Sequence, residues 1–504
     1  MKKITILLLA AVMLVSSLCG GVASADASGK DTVNYGLTAA ITDLNPFNAI
    51  QGEQNQFFPN LYTTLVQWIV DENGRFVLVG NLADSWENTN DGKTWVFHLN
   101  EKATFSNGEP VTAEDVKFAF EQMALSPYTM AYVEMVTSVD ALDEHTVAVN
   151  MESFNARAPY CWNYVFVVNA KAYAADPEAY IGNPITSGPF TITKHNLATN
   201  AITITRRDDY WGEMPSIREV NLVVKEDADT LVIALQNGEI DCINLFNTTS
   251  LPLVEADPNL CVVKHPTDYT GQVIFNTQAE PLDNKLVRQA ISYAINWPLL
   301  AMVKLGSPEN YQKLTTLLYV PAVDGEPEDV KEYSYDPEMA KALLAEAGVS
   351  LPLDLGEFYG GSGGLAEIIQ QNLADVGILV QPVSLEGYAF IMALMQGDFK
   401  LAILGGNGGY VTAAEQFSQW YQTGSTMNMA HYSNPEVDAL IAALNTEQDK
   451  DKANEIIQQI LDIIAEDAPY ANLTIDYYYT VSNKDLNVPV SRNSLVPYGY
   501  LSWN

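Results

Sequence analysis

Two glycine-rich stretches are the first places where this sequence could do chemistry. GGNGGYVTAAEQF, residues 405 to 417, sets four glycines around Asn407 and then supplies Tyr410, Glu415 and Phe417. YGGSGG, residues 359 to 364, leads into a helical pattern that begins near Leu365. The backbone N–H groups of a helix that starts after glycines can bind a phosphate. A phosphate cradle closes with a lysine, however, and neither stretch has one. The chain contains no GxxxxGKS loop and no GxSxG nucleophile elbow. Its five histidines, His98, His145, His195, His265 and His431, never stand at the i, i+4 spacing of a helical metal site, so each reads as a surface or hydrogen-bonding residue. Acids are abundant, and groups such as Asp227 with Asp229, or Glu326 with Glu328 and Asp329, read as solvated loops rather than acid/base pairs. DENGRFVLVGNLAD lacks the regular oxygen ligands of a calcium loop. The sequence therefore predicts no catalytic residues, no metal site and no cofactor.

The glycine loops need elements to hold them, and short strand-like runs alternate with capped helices along the whole chain. In VTAEDVKFAFEQM, Thr112 can cap the first turn, Asp115 stands at the third helical position, and Val116, Phe120 and Met123 share one face. YDPEMAKALLAEAG offers Asp336 as a cap, Pro337 at the first helical position and Gly348 as a stop, and SNPEVDALIAAL repeats the device with Asn434 and Pro435. The clearest helix lies in FNTQAEPLDNKLVRQAISYAINWPLL, where Leu282, Leu286, Val287, Ala290, Ile291, Ala294 and Ile295 form one stripe behind a cap at Asp283. TVNYGLT, AITITRR, IREVNLVVK and DFKLAILG read as strands. The class is α/β with mixed sheets.

The first residues, MKKITILLLAAVMLVSSL, place Lys2 and Lys3 before an apolar run too short to span a bilayer, which reads as an export signal. Two exits are open: cleavage after Ala25 in Ala23-Ser24-Ala25, or lipidation of Cys19. The formal charge of −36 excludes nucleic acid and anionic membrane surfaces as natural partners. Of the cysteines beyond the signal, Cys161, Cys242 and Cys261, the candidate disulfide is Cys242 with Cys261, against the alternative of three buried thiols. About 480 mature residues exceed one core and predict at least two lobes.

Four blocks, Leu82 to Glu121, Ser187 to Gly212, ALQNGEID with FNTQAEPLDNKLVRQAISYAIN, and His431 to Leu444, occur in an order that resembles the extracytoplasmic solute-binding proteins of ABC importers. The resemblance is to the group serving dipeptides, oligopeptides, nickel complexes and opines. It implies a two-lobed periplasmic-binding-protein-like clamp, monomeric, that hands its solute to a permease and ATPase complex. The first lobe would run from residue 31 to 270 plus 477 to 504, with an inserted subdomain at about 67 to 184, and the second from 271 to 476. Crossings near Phe275 to Thr277 and near Asp476 to Thr480 would form a two-crossing hinge.

The resemblance also implies which stretches line the cleft. AIQGEQ would bring Gln51 and Gly52, APYCWNYVF would bring Trp162 and Tyr164, EFYGGSGG would bring Tyr359, and the 405 to 420 stretch would bring Asn407, Gly408, Tyr410, Glu415 and Trp420. Two departures stand out. Ala413 replaces the acid with which dipeptide-binding relatives hold the ligand ammonium, and Gly356, Glu357 and Phe358 stand where those relatives carry an arginine for the carboxylate. The expected function is a solute receptor of an ABC importer, with peptides favoured. Its rivals are the same clamp holding a sugar, opine or metal-chelator complex, a surface sensor, and an exported hydrolase.

Overall fold

The computed structural model describes residues 30–49, 52–70, 76–155, 158–196, 198–245, 250–265, 270–305, 330–359, 364–385, 387–407, 412–475, 478–491 and 495–504. Its framework is two large mixed sheets. The first has seven strands, in the order 260–265, 478–483, 242–245, 32–37, 219–224, 201–206, 190–196. Thr32–Leu37 lies in its centre and runs parallel to both neighbours, Glu219–Val224 and Cys242–Leu245. The second has five strands, in the order 378–383, 353–359, 401–407, 270–275, 470–475. There Leu353–Tyr359 runs parallel to both Ile378–Val383 and Leu401–Asn407. A four-stranded antiparallel sheet, 83–89, 94–99, 146–151 and 136–143, is covered by the helix Ala113–Leu125 and shares the core of the first large sheet.

The chain leaves the seven-stranded sheet at His265 and enters the five-stranded one at Thr270, then returns between Ile475 and Tyr478. The buried clusters divide at the same places. Those around the first sheet draw on residues up to Val263 and from Tyr479 onward, and those around the second run from Val273 to Ala471. The first crossing is thus earlier than the sequence suggested. Phe275 closes a strand inside the second sheet, and Asn276 and Thr277 are fixed to that unit through backbone bonds to Lys400 and Ala430.

Local signals in the sequence explain most helix starts. The Thr112 backbone N–H donates to Asp115 Oδ2 at 2.9 Å, and Val116, Phe120 and Met123 are buried together. Asp336 accepts from the N–H groups of Glu338 and Met339, and Asn434 accepts from that of Glu436. The helix Lys285–Ala294 is capped by Asn284 instead of Asp283, because a turn from Ala279 to Asp283 delays its start by one residue. Its opposite side is buried as well, since Arg288 donates to the carbonyls of Leu282, Asp283, Asp467 and Ala468.

The cysteine pairing fails on sheet geometry. Cys242 and Cys261 both stand opposite Ser482, on either side of the strand that carries it. Two strand spacings separate them by roughly 9.5 Å, beyond the roughly 7 Å that a bridge tolerates. Cys242 is a free buried thiol whose ionisation burial disfavours.

Gly36 in the central strand lets the helix Ala228–Gln236 lie close. A Cβ there would stand 2.6 Å from Leu231 Cδ2 and 2.9 Å from Ile243 Cγ2. Gly36→Ala is therefore expected to cost about 1–3 kcal/mol through overpacking, read as a lowered urea midpoint with an unchanged slope.

Candidate functional site

In open sheets with parallel strands, ligands bind beyond the carboxyl ends of those strands. The parallel triplets here end at Val224, Leu37 and Leu245 in the first sheet, and at Val383, Tyr359 and Asn407 in the second. Register fixes which edges face the crossings. Thr270 pairs with both Asn407 and Ile475, so both crossings meet the second sheet at its carboxyl edge. His265 pairs with Tyr478, and Leu260–His265 runs in the same direction as Cys242–Leu245, so both crossings leave the first sheet at its carboxyl edge too. The two carboxyl edges are joined only a few residues apart. A solute site between them can touch both units.

Several expected site residues stand at these edges. Gly52 begins the helix Gly52–Leu61, Tyr359 ends its strand, and Asn407 ends its own. Tyr359 is half-buried, and its hydroxyl donates to Glu357 Oε2 at 3.3 Å. Tyr359 and Asn407 are not side by side, because Tyr359 pairs with Ala402 and Asn407 lies five residues further along. That stagger is roughly 16 Å at 3.3 Å per residue. Gln51, Gly408, Tyr410 and Cys19 lie outside the described residues.

Trp162 and Trp420 correct the expectation. Both are 0 % exposed, so neither ring has a face left for a solute. Trp162 is packed edge to face with Phe97 at 5.6 Å, Phe120 at 5.8 Å and Trp95 at 6.2 Å. Trp420 meets Tyr470 at 5.7 Å. Tyr164 stacks on Tyr132 at 4.8 Å and keeps an accessible edge. Glu415 occupies the first turn of the helix Ala413–Trp420, where its N–H donates to Thr412 Oγ1 at 3.1 Å. Ala413 is buried at the start of that helix, so its methyl group serves the core.

Sequence reading missed a polar chain at the carboxyl edge of the first sheet. Ser491 N–H donates to His265 Nδ1 at 3.0 Å, which leaves the hydrogen on Nε2 to reach Thr480 Oγ1 at 2.8 Å. Thr480 donates to Asn244 Oδ1 at 3.0 Å, and Tyr35 donates to the same oxygen at 2.7 Å. Asn244 Nδ2 donates to Gln56 Oε1 at 3.1 Å, while Gln56 Nε2 donates to Tyr35 Oη and to the Val496 carbonyl. Burial pushes the Tyr35 phenol up and pushes His265 down to about 3, so both stay neutral and the donor directions are fixed. His265 precedes the first crossing and Thr480 follows the second. One signal was available: Asn244 is the one polar side chain in the short apolar strand Cys242–Leu245.

Against this chain lies a recess lined by Tyr35, Gly36, Leu37, Thr38, Glu53, Gln56, Asn244 and Leu495. Among the described residues no group of His, Cys, Asp and Glu could hold a metal, and no helix is long and apolar enough to cross a membrane.

The two sheets, their clean division of cores and the two crossings define a two-lobed clamp of the periplasmic-binding-protein class, with mixed α/β lobes. The solved structure of HbpA2 from Haemophilus parasuis is similar to it with a TM-score of 0.86 at 22% identity, covering 94% of this chain and 100% of that one. The model of the bacterial extracellular solute-binding proteins, family 5, matches residues 77–428, and the chain belongs to that family. The heme-binding protein A of Haemophilus influenzae is 25% identical over 99% of this chain and 98% of its own length. The dipeptide-binding protein of Escherichia coli is 26% identical over 81% of this chain and 82% of its own.

Proposed function

We propose that this protein is the extracytoplasmic receptor of an ABC importer, which closes its lobes on a peptide or peptide-like solute and delivers it to a permease and ATPase complex. The observation that carries this reading is that both crossings join the carboxyl edges of the two parallel triplets, so a solute bound there bridges the units and favours the closed arrangement. The lobes are residues 31 to about 265 with about 478–504, and about 270–475, with the inserted subdomain at about 67–184 of the first. Residues 1–25 direct export, with Cys19 as the alternative point of lipid attachment. The receptor works as a monomer and performs no chemistry on its solute.

A second reading, the same clamp on a non-peptide solute, is favoured by one observation. Gly356 lies at a register shift of its strand, Glu357 is exposed and Phe358 is buried, so this strand end offers a peptide carboxylate no cation. Resemblance does not choose, since relatives named for heme and for dipeptides match about equally well. Native mass spectrometry of protein purified without refolding decides: a series of peptide masses is expected, and a single non-peptide mass overturns the peptide reading. X-ray scattering should show compaction on binding, and a tightly bound solute without compaction overturns the clamp.

A further inference from the structure

The geometry points to a subsite for a protonated amine in the first lobe: the recess beside Glu53 receives a cationic amino group of the solute. This deepens the receptor reading above and rests on it. Among the described residues that line the recess Glu53 is the only charged one, and it stands at the carboxyl edge where the central strand Thr32–Leu37 ends. It is half-buried, and among the described residues its carboxylate has neither a hydrogen-bond donor nor an ion-pair partner. As the second residue of the helix Gly52–Leu61 it gains from the helix dipole, which offsets part of the cost of its partial burial. The dipole does not provide the counter-charge that a closed, water-poor cleft demands.

The neighbouring side chains sharpen the choice of ligand. Tyr35, Gln56 and Asn244 carry five polar hydrogens between them, and four are committed to one another and to the Val496 carbonyl. An anion entering here would meet the Glu53 carboxylate and almost no available donor, whereas an ammonium would meet a carboxylate and the Thr38 hydroxyl. The room is about 20 Å3, enough for one water-sized group. An ammonium terminus has that size, and the remainder of the solute extends toward the second lobe. The chain's net charge of −36 attracts cations in the same sense.

The test uses the purified full chain and a defined mixture: three lysine-free tripeptides, each with a free and an N-acetylated terminus, together with spermidine and three neutral oligosaccharides. Captured masses are read after desalting. Wild type is expected to enrich each free-amine peptide at least about tenfold over its acetylated partner, the loss that removing a charged hydrogen bond produces. Glu53→Gln, nearly isosteric, should abolish that preference while lowering the melting temperature by no more than about 2–3 °C, the share of the helix dipole. Glu53→Asp should retain part of it, and Glu53→Lys, whose own ammonium fills the recess, should lose capture of the amines. Equal capture of the acetylated forms, or a preference that survives in Glu53→Gln, overturns the amine subsite and leaves the peptide reading standing. Capture of oligosaccharide alone overturns both. Failure to capture any amine overturns the subsite, while the masses that the protein carries from its cell still decide the receptor reading.

Discussion

Trp162→Ala is expected to lower the stability of the first lobe by about 3–5 kcal/mol and to leave solute affinity within about twofold wherever the variant is still folded. The indole stands at 0 % exposure among Phe97, Phe120 and Trp95, so truncation opens a cavity between the four-stranded sheet and the helix Ala113–Leu125. Among the described residues its Nε1 hydrogen has no hydrogen-bond partner. Trp162→Phe therefore removes an unpaired buried donor, worth roughly 1–3 kcal/mol, and leaves a smaller cavity, so the two effects nearly cancel. Urea unfolding followed by circular dichroism measures the stabilities, and calorimetric titration with the solute identified by mass spectrometry measures affinity. Were Trp162→Ala to keep its stability and lose affinity tenfold, the ring would be a cleft wall after all.

Trp162 also shows where sequence reading stops. A cleft for an organic solute and a hydrophobic core ask for the same aromatic residues, and the stretch APYCWNYVF carries no signal that tells one side of the short helical turn Trp162–Tyr164 from the other. Its neighbour Tyr164, two residues on, is the one left with an accessible edge. The same ambiguity placed Trp420 at the cleft, whereas Tyr470 from a distant strand covers it.

What was legible is what local chemistry decides. Thr112 with Asp115, Asp336 with Pro337 and Asn434 with Pro435 act within one turn of their own helices, and their starts are as read. The strands TVNYGL and AITITR follow from their alternation and branched side chains. The family blocks supplied the two-lobed arrangement. What was not legible depends on strands far apart in the chain becoming neighbours. Asn284 displaced Asp283 as a cap because of the turn before it. Cys242 and Cys261 are kept apart by a strand that comes from the C-terminal end. The polar chain draws Tyr35, Gln56, Asn244, His265, Thr480 and Ser491 from six segments, with partners up to 440 residues apart in the case of Gln56 and Val496.

That chain carries the second large expected effect, on acid stability. His265 is 0 % exposed and held neutral, its protonation pushed from 6.5 in the unfolded chain down to about 3 by burial. Below pH 6.5 the unfolded chain takes up a proton on this ring that the folded chain refuses, so the contribution is fully present above pH 6.5 and falls as pH drops toward 3. The slope approaches about 1.4 kcal/mol per pH unit inside that window and vanishes above it. His265→Gln should separate this titration from that of the many carboxylates. Its amide oxygen can accept from Ser491 N–H and its amide nitrogen can donate to Thr480, so stability at pH 8 should change by less than about 1.5 kcal/mol. Between pH 6.5 and 4.5, above the range of most carboxylates, the variant's unfolding free energy, read from urea titrations, should decline more gently than that of wild type by about 1 kcal/mol per pH unit. His265→Leu leaves the Ser491 N–H unpaired and takes from Thr480 Oγ1 its donor, and should cost about 2–3 kcal/mol above pH 6.5, a deficit that shrinks at lower pH because leucine does not titrate. Because His265 and Thr480 flank the two crossings, the same leucine variant is expected to loosen the hinge, seen as faster amide exchange in residues 260–265 and 478–483 than elsewhere in the first sheet. Parallel pH profiles for wild type and His265→Gln would show that the ring is not buried neutral and would remove the acid effect.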